Sequence, residues 1–222
     1  MRFDVITLFP EMFSGPFDQS ILKRAQDKSL AQIHLHNLRN WAIDQRGTVD
    51  DRPYGGGVGM ILRIEPIYHA LRGIRGQKIA DRKQKTILLD PRGETFTQEK
   101  ARRYAQLDQL VLICGHYEGV DERVKHLVDE SISIGSYVVT GGEIPAMVIV
   151  DAVTRLVPGV LEKKDAVELE SFSTTNNELR TTNYLEYPQY TRPEEFNAWK
   201  VPQVLLSGDH EEIKKWRQER AK

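Results

Sequence analysis

Cysteine is almost absent: Cys114 is the only one in 222 residues, so no intrachain disulfide can form. That usage fits a reducing compartment, and a cytoplasmic location is expected. Long apolar runs are missing too. No stretch approaches the ~20 residues needed to cross a bilayer, so no membrane partner is expected. Asp4 breaks the opening run Phe3-Asp4-Val5-Ile6, and no small-residue cleavage site follows, which argues against a secretory signal. Neither charge sign dominates, with 31 Lys and Arg against 32 Asp and Glu. A nucleic-acid partner would therefore be held by a local patch rather than by bulk charge. G-x-x-x-x-G-K-[ST] does not occur, which excludes a P-loop. H-E-x-x-H and Cys/His pairs at metal spacing are absent as well, so no metal ligand set is read from the chain. The dense glycine cluster Gly55-Gly56-Gly57-Val58-Gly59 fails G-x-G-x-x-G, because Met60 and Ile61 stand where a final glycine is needed. It also follows no clear strand.

What the chain does have is a pair of glycine-bearing turns close together in sequence. Gly135, Gly141 and Gly142 bracket the short apolar run Tyr137-Val138-Val139. Upstream, Cys114-Gly115-His116-Tyr117-Glu118-Gly119 follows the strand-like Leu110–Ile113. Glycine lets backbone approach a ligand closely. Two such turns suggest one small-molecule pocket recognised by main-chain N–H and C=O groups. The competing reading is two ordinary turns of an α/β protein.

Strands are expected at Arg2–Leu8, Ile33–Asn37, Thr86–Leu89, Gln109–Cys114, Ser131–Ser133 and Tyr137–Val139. Helices are expected at Gln19–Lys28, Ile64–Arg72, Thr97–Ala105, Val120–Val128 and Ile144–Leu156. Strand–helix alternation with short connections predicts an α/β domain with a mainly parallel sheet, whose ligands sit beyond the carboxyl ends of the strands. The two glycine turns and Asp90-Pro91-Arg92-Gly93 all lie at such ends. After Leu161 the composition shifts to Glu, Lys, Thr and Asn, so residues 162–186 read as a flexible linker. Residues 187–222 read as a small helical domain. Asp209 caps its last helix, with Glu212 at the third position and Lys214, Lys215 and Arg217 toward the C-terminus.

Several stretches together resemble the TrmD family of bacterial tRNA (guanine-N1)-methyltransferases, of the SPOUT class. They are Asp4–Phe13, Asp50–Met60, Cys114–Val124, Ser133–Glu143, Pro158–Leu161, Tyr187–Pro193 and Val204–Gly208. The resemblance implies a SPOUT-type parallel sheet with a C-terminal trefoil knot over residues 1–161, against the general rule that chains avoid knots. It implies a homodimer, S-adenosylmethionine as methyl donor, and methylation of N1 of the guanosine 3′ to the tRNA anticodon (position 37). A bound magnesium ion is a further implication, near Glu118. The implied methyl-donor pocket takes Leu88, Leu89 and Pro91, then Gly115, Tyr117, Glu118 and Gly119. From the glycine segment it takes Ser133, Ile134, Gly135, Ser136, Tyr137, Val138 and Val139, followed by Gly141, Gly142 and Pro145. Implied tRNA contacts are Arg46, Arg52, Tyr54, Gly56, Gly57 and Gly59, with Lys214 and Lys215. Read bare, Arg46 and Arg52 belong to a solvated loop, and the last helix is a plain surface helix. His116 is expected at the surface, and Cys114 packed as a small buried hydrophobe.

Guanine N1 carries a proton near neutral pH and attacks a sulfonium methyl only as that proton leaves. A carboxylate base and an arginine facing O6 suit the task. By resemblance these are Glu170 and Arg155. Glu170 precedes Ser171-Phe172 where the family usually has aspartate, and Glu168 is a second candidate. Two alternatives stand beside the enzyme at this point. One is a binding module that keeps the pocket without activity. The other is a different nucleotide-using α/β enzyme, disfavoured by the missing phosphate fingerprints.

Overall fold

Period-two alternation along the strands sets the layers. In the computed structural model, which describes residues 1–75, 83–162, 170–173 and 184–221, five parallel strands form one sheet. They are β1 (Arg2–Thr7), β2 (Gln32–Asn37), β5 (Gln84–Thr95), β6 (Gln109–Cys114) and β7 (Glu130–Ser133), in the order β2-β1-β6-β5-β7. Phe3, Val5, Ile87, Leu89, Leu110, Leu112 and Cys114 enter one apolar cluster, while Ile6, Leu88, Val111 and Ile113 enter another. The first is covered by α1 (Ser20–Asp27), α3 (Gln98–Tyr104) and α4 (Glu143–Thr154), through Leu22, Ala101, Ile149 and Val153 among others. The second is covered by α2 (Ile64–Arg75), through Ile67, Ala70 and Leu71. The result is a sheet with helices on both faces, as the strand–helix alternation predicts.

Buried Asp4 lies in the middle of this apolar sheet. Burial acts to raise its pKa. Hydrogen bonds from His36 Nε2 (2.8 Å), Arg2 and Gln109 Nε2 (2.7 Å) outweigh that and hold it at about 2. The charge therefore persists inside the fold only because three donors surround it.

Three local readings are corrected. Tyr137–Val139 is not a strand; it runs irregularly with exposed side chains. Tyr137 N–H instead donates back to Gly135 O at 3.0 Å, which turns the chain away from any ladder. Val120–Val128 is not an α-helix; only Glu122–Leu127 is helical, as a 3-10 segment capped by the Asp121 carboxylate on Arg123 N–H. The strand read as Thr86–Leu89 continues to Thr95, because Leu89 and Glu94 both pair with Ile132. Asp90–Gly93 loops out between them, braced by the Asp90 carboxylate. That carboxylate accepts from Arg92 N, Nε and Nη2 at 2.8, 3.1 and 2.8 Å.

A two-residue ladder between β3 (Asp50–Asp51) and β4 (Ile61–Leu62) closes the loop that carries the glycine cluster. The chain forms two compact units, Met1–Leu161 and Glu162–Lys222. In the second unit Ser171 N–H donates to Glu186 Oε2 (3.2 Å) and Phe172 N–H to Tyr184 O (2.6 Å). It also holds a hairpin not foreseen from sequence, β8 (Glu195–Phe196) with β9 (Trp199–Lys200). Two helices follow, α5 (Gln203–Leu206) and α6 (His210–Arg220). Asp209 caps α6 by accepting from Glu211 and Glu212 N–H. The Arg217 guanidinium lies over the Tyr187 ring, 4.9 Å from its centre.

Candidate ligand pocket

The Asp90–Gly93 excursion within β5 and the turns that follow β6 and β7 surround a cavity of about 490 Å³. That volume suits a cofactor-sized molecule. Of the residues expected around a pocket, Leu89 and Pro91 line it on one side. Gly115, Tyr117, Glu118 and Gly119 line it on a second, and Ser133, Ile134, Tyr137, Val138 and Val139 on a third. Gly141, Gly142 and Pro145 close it at the start of α4. Three expected residues are not on its wall. Leu88 is fully buried in the α2-side cluster, one residue out of phase with Leu89. Gly135 and Ser136 lie off the lining; the Gly135 carbonyl is taken by Ser133 Oγ and Tyr137 N–H.

Close backbone approach builds the pocket floor. Gly142 N–H donates to Gly115 O at 2.7 Å, tying the start of α4 to the end of β6. A Cβ on Gly142 would lie 2.6 Å from Cys114 Cα, so only glycine fits. Cys114 is buried as expected, and burial pushes its thiol pKa well up, which keeps it protonated and inert.

His116, expected at the surface, is half-buried: it lines the cavity, its Nδ1 is buried, and Phe9 and Tyr117 pack on the ring with centroids 4.8 Å away. Asp90, Arg92 and Thr140, within the segments expected to form the pocket, line the cavity too, and Val120, Glu122 and Ile132 join them from outside those segments. Burial raises the Asp90 pKa, but the Arg92 bonds dominate and bring it below its ordinary value, so a fixed ion pair borders the opening. The Asp-Pro-Arg-Gly turn was the available cue; the fork between Asp90 and Arg92 needed coordinates.

The glycine loop is laid beside this pocket. Glu118 N–H donates to Met60 O (3.0 Å), and Leu62 N–H to Gly119 O (2.9 Å). Arg46, Arg52, Tyr54, Gly56, Gly57 and Gly59 are all exposed, so the expected polynucleotide-contacting loop borders the expected cofactor turn. Lys214 and Lys215 are exposed on α6 of the second unit. Arg155 follows α4 at the end opposite Gly142. At 1.5 Å per residue, twelve helical residues put it roughly 18 Å from the pocket end of its helix, and it does not line the cavity. Glu170 is half-buried in the second unit. Glu168 lies outside the described residues. Among those described, no cluster of His, Cys, Asp or Glu could hold a metal ion, and no helix is long and apolar enough to cross a membrane.

A profile of the family described as tRNA (Guanine-1)-methyltransferase TrmD matches residues 1–222. The chain belongs to the tRNA (guanine-N1)-methyltransferase family. A family member from Dictyoglomus turgidum is 53% identical over 221 residues, covering 100% of this chain and 85% of that protein. One from Citrifermentans bemidjiense is 52% identical over 218 residues, covering 98% and 83%. Both carry the name tRNA (guanine-N(1)-)-methyltransferase. The crystal structure of the tRNA (m1G37) methyltransferase from Aquifex aeolicus superposes with a TM-score of 0.79 at 38% identity, covering 97% of this chain and 87% of that one.

Proposed function

We propose that this protein transfers a methyl group from S-adenosylmethionine to N1 of the guanosine 3′ to the tRNA anticodon, position 37. The observation that carries the reading is a glycine-floored, cofactor-sized cavity at the strand ends of a chain that matches this methyltransferase family throughout. The cavity fits the donor: its apolar residues, Leu89, Ile132, Val138 and Val139, suit an adenine, and the glycine turns offer main-chain groups to its edge. When bound, S-adenosylmethionine supplies an electrophilic sulfonium methyl. Tyr117 and Glu118 stand at the wall nearest the glycine loop, where the donor's charged end would meet the tRNA. The magnesium ion implied near Glu118 finds no group of carboxylates and histidines to hold it among the described residues, and no step is routed through it.

Glu170 takes the proton from guanine N1, and Arg155 faces the negative charge that grows on O6, the two together worth on the order of 10²–10⁴-fold for the acid–base part. The position of Arg155, far along α4 from its own cavity, supports a homodimer in which the partner supplies these groups. Ile144 and Val148, one turn apart on α4, present apolar side chains outward and suit such an interface. In this reading residues 1–161 are the knotted donor-binding domain, 162–186 the linker carrying the base, and 187–222 the tRNA-gripping domain. Arg46, Arg52 and Tyr54 hold the tRNA from the glycine loop and Lys214 and Lys215 from α6. The cytoplasm is the proposed location.

The test is incorporation of labelled methyl from S-adenosylmethionine into unmodified tRNA. Label on tRNA with guanosine at position 37, and none on the same tRNA carrying adenosine there, is the expected result. Cofactor binding without transfer to either tRNA would instead favour a binding module.

A further inference from the structure

Glu143, the first residue of α4, is a buried carboxylate with no part in the chemistry above: its side chain is 2% exposed. One oxygen, Oε1, accepts from Thr7 Oγ1 at 2.7 Å, deep in the fold. Thr7 Oγ1 in turn accepts from Phe9 N–H at 2.9 Å, so the hydroxyl has a fixed direction. The other oxygen, Oε2, lies 3.9 Å from His116 Nδ1. That nitrogen is buried and has no hydrogen-bond partner among the described residues. Gly141 stands between the two groups, and a Cβ there would lie 2.4 Å from Oε2 and 2.6 Å from Nδ1. At 3.9 Å the pair falls about 1 Å short of a hydrogen bond. Both flanking segments line the cavity, and a buried ring nitrogen without a partner is costly unless something satisfies it.

We propose, on the reading that the cavity takes S-adenosylmethionine, that Glu143 is a positioning residue: anchored by Thr7, it accepts from His116 Nδ1–H across Gly141 when the cavity fills. The bond fixes the His116 tautomer with the proton on Nδ1. It also locks the β6 turn to the start of α4, so that the Tyr117–Gly119 wall is held against the bound molecule. Glu143 touches neither methyl nor guanine; it acts through His116.

The test combines nitrogen-15 and proton NMR of the histidine ring with calorimetry, on the full chain. Saturating S-adenosylmethionine is expected to bring out a slowly exchanging His116 Nδ1 proton in the parent. In Glu143→Gln that proton exchanges fast, and cofactor affinity falls about tenfold, the scale of one hydrogen bond to a charged group. KM for the cofactor rises in step, while kcat at saturation changes by less than about threefold. Thr7→Val loses part of the effect and Thr7→Ser restores it, a pattern that general loss of packing would not produce. Should Glu143→Gln fail to fold, the Thr7 pair carries the test. No protected proton in the saturated parent, or unchanged affinity and exchange in both Glu143→Gln and Thr7→Val, overturns the proposal. Failure of the parent to bind S-adenosylmethionine overturns the cofactor reading instead. Without a bound molecule the pair stays at its 3.9 Å separation, so that failure overturns the proposed bond along with the cofactor reading, whereas binding without a protected proton overturns the bond alone.

Discussion

Gly141 and Gly142 are neighbours, yet a methyl group added to each meets different matter. At Gly142 it meets backbone, Cys114 Cα at 2.6 Å and Gly115 N at 2.8 Å, so α4 would have to leave the sheet. Gly142→Ala is expected to destabilise the fold by about 3 kcal/mol, seen as a lower thermal midpoint. At Gly141 the methyl meets side-chain ends rather than backbone, Glu143 Oε2 at 2.4 Å and His116 Nδ1 at 2.6 Å, so the strain falls on that pair. Gly141→Ala should lose less stability than Gly142→Ala and bind S-adenosylmethionine less tightly, by about tenfold in calorimetry. A Gly141→Ala variant with parental affinity would place the cofactor elsewhere. For the proposed base, Glu170→Gln keeps the shape and removes the proton acceptor. Single-turnover methyl transfer should slow by roughly 10² or more with cofactor affinity nearly unchanged. Glu170→Asp, the usual family residue, should stay active. A fast Glu170→Gln beside a dead Glu168→Gln would move the base by two residues.

At the scale of elements, the acid limit of the fold is expected to trace to Asp4, which bridges β1, β2 and β6 through His36 and Gln109. Its pKa is depressed in the folded state, to about 2. The stability it confers is therefore complete above the unfolded carboxylate value near ~3.9 and is lost as pH falls through about 2. Asp4→Asn should cost about 2–3 kcal/mol at neutral pH and progressively less below about pH 4, measured by denaturant melts at stepped pH. In the sequence Asp4 reads only as a break in an apolar run, because its three donors come from Arg2, His36 and Gln109, the last more than a hundred residues away. The strands themselves were legible, since their apolar runs and alternation belong to the residues that form them. Tyr137–Val139 misled for the same reason: its composition suits a strand, but no partner edge is offered to it. The pocket turns were legible as glycine at strand ends. His116 was not, because its burial depends on Phe9 and Glu143 arriving from other elements. The Asp90–Gly93 excursion was also hidden, since only pairing of both Leu89 and Glu94 with Ile132 makes it a loop within a strand.

For the whole molecule, the proposed division of labour between two copies has a direct test. Chains carrying Glu170→Ala and chains carrying Gly141→Val, whose branched side chain fills the gap between Glu143 and His116, are each expected to be inactive alone. Co-expressed, they form mixed dimers with one intact site and should recover about a quarter of parental activity, from a random half of dimers that each keep one site of two. A fully active monomer by light scattering would end the shared-site reading. The strand order carries a separate consequence. β1 is the first strand made, yet it lies inside the sheet, and Arg2 pairs with Gln109. On a ribosome adding about 5–20 residues per second, the β6 partner follows roughly 5–20 s later. Until then Phe3, Val5 and Ile6 have one side of their strand unpaired, on a nascent chain crowded by its neighbours. The order of synthesis thus delivers the central strand only after three of the other four, and the factors that shield emerging chains inherit the interval.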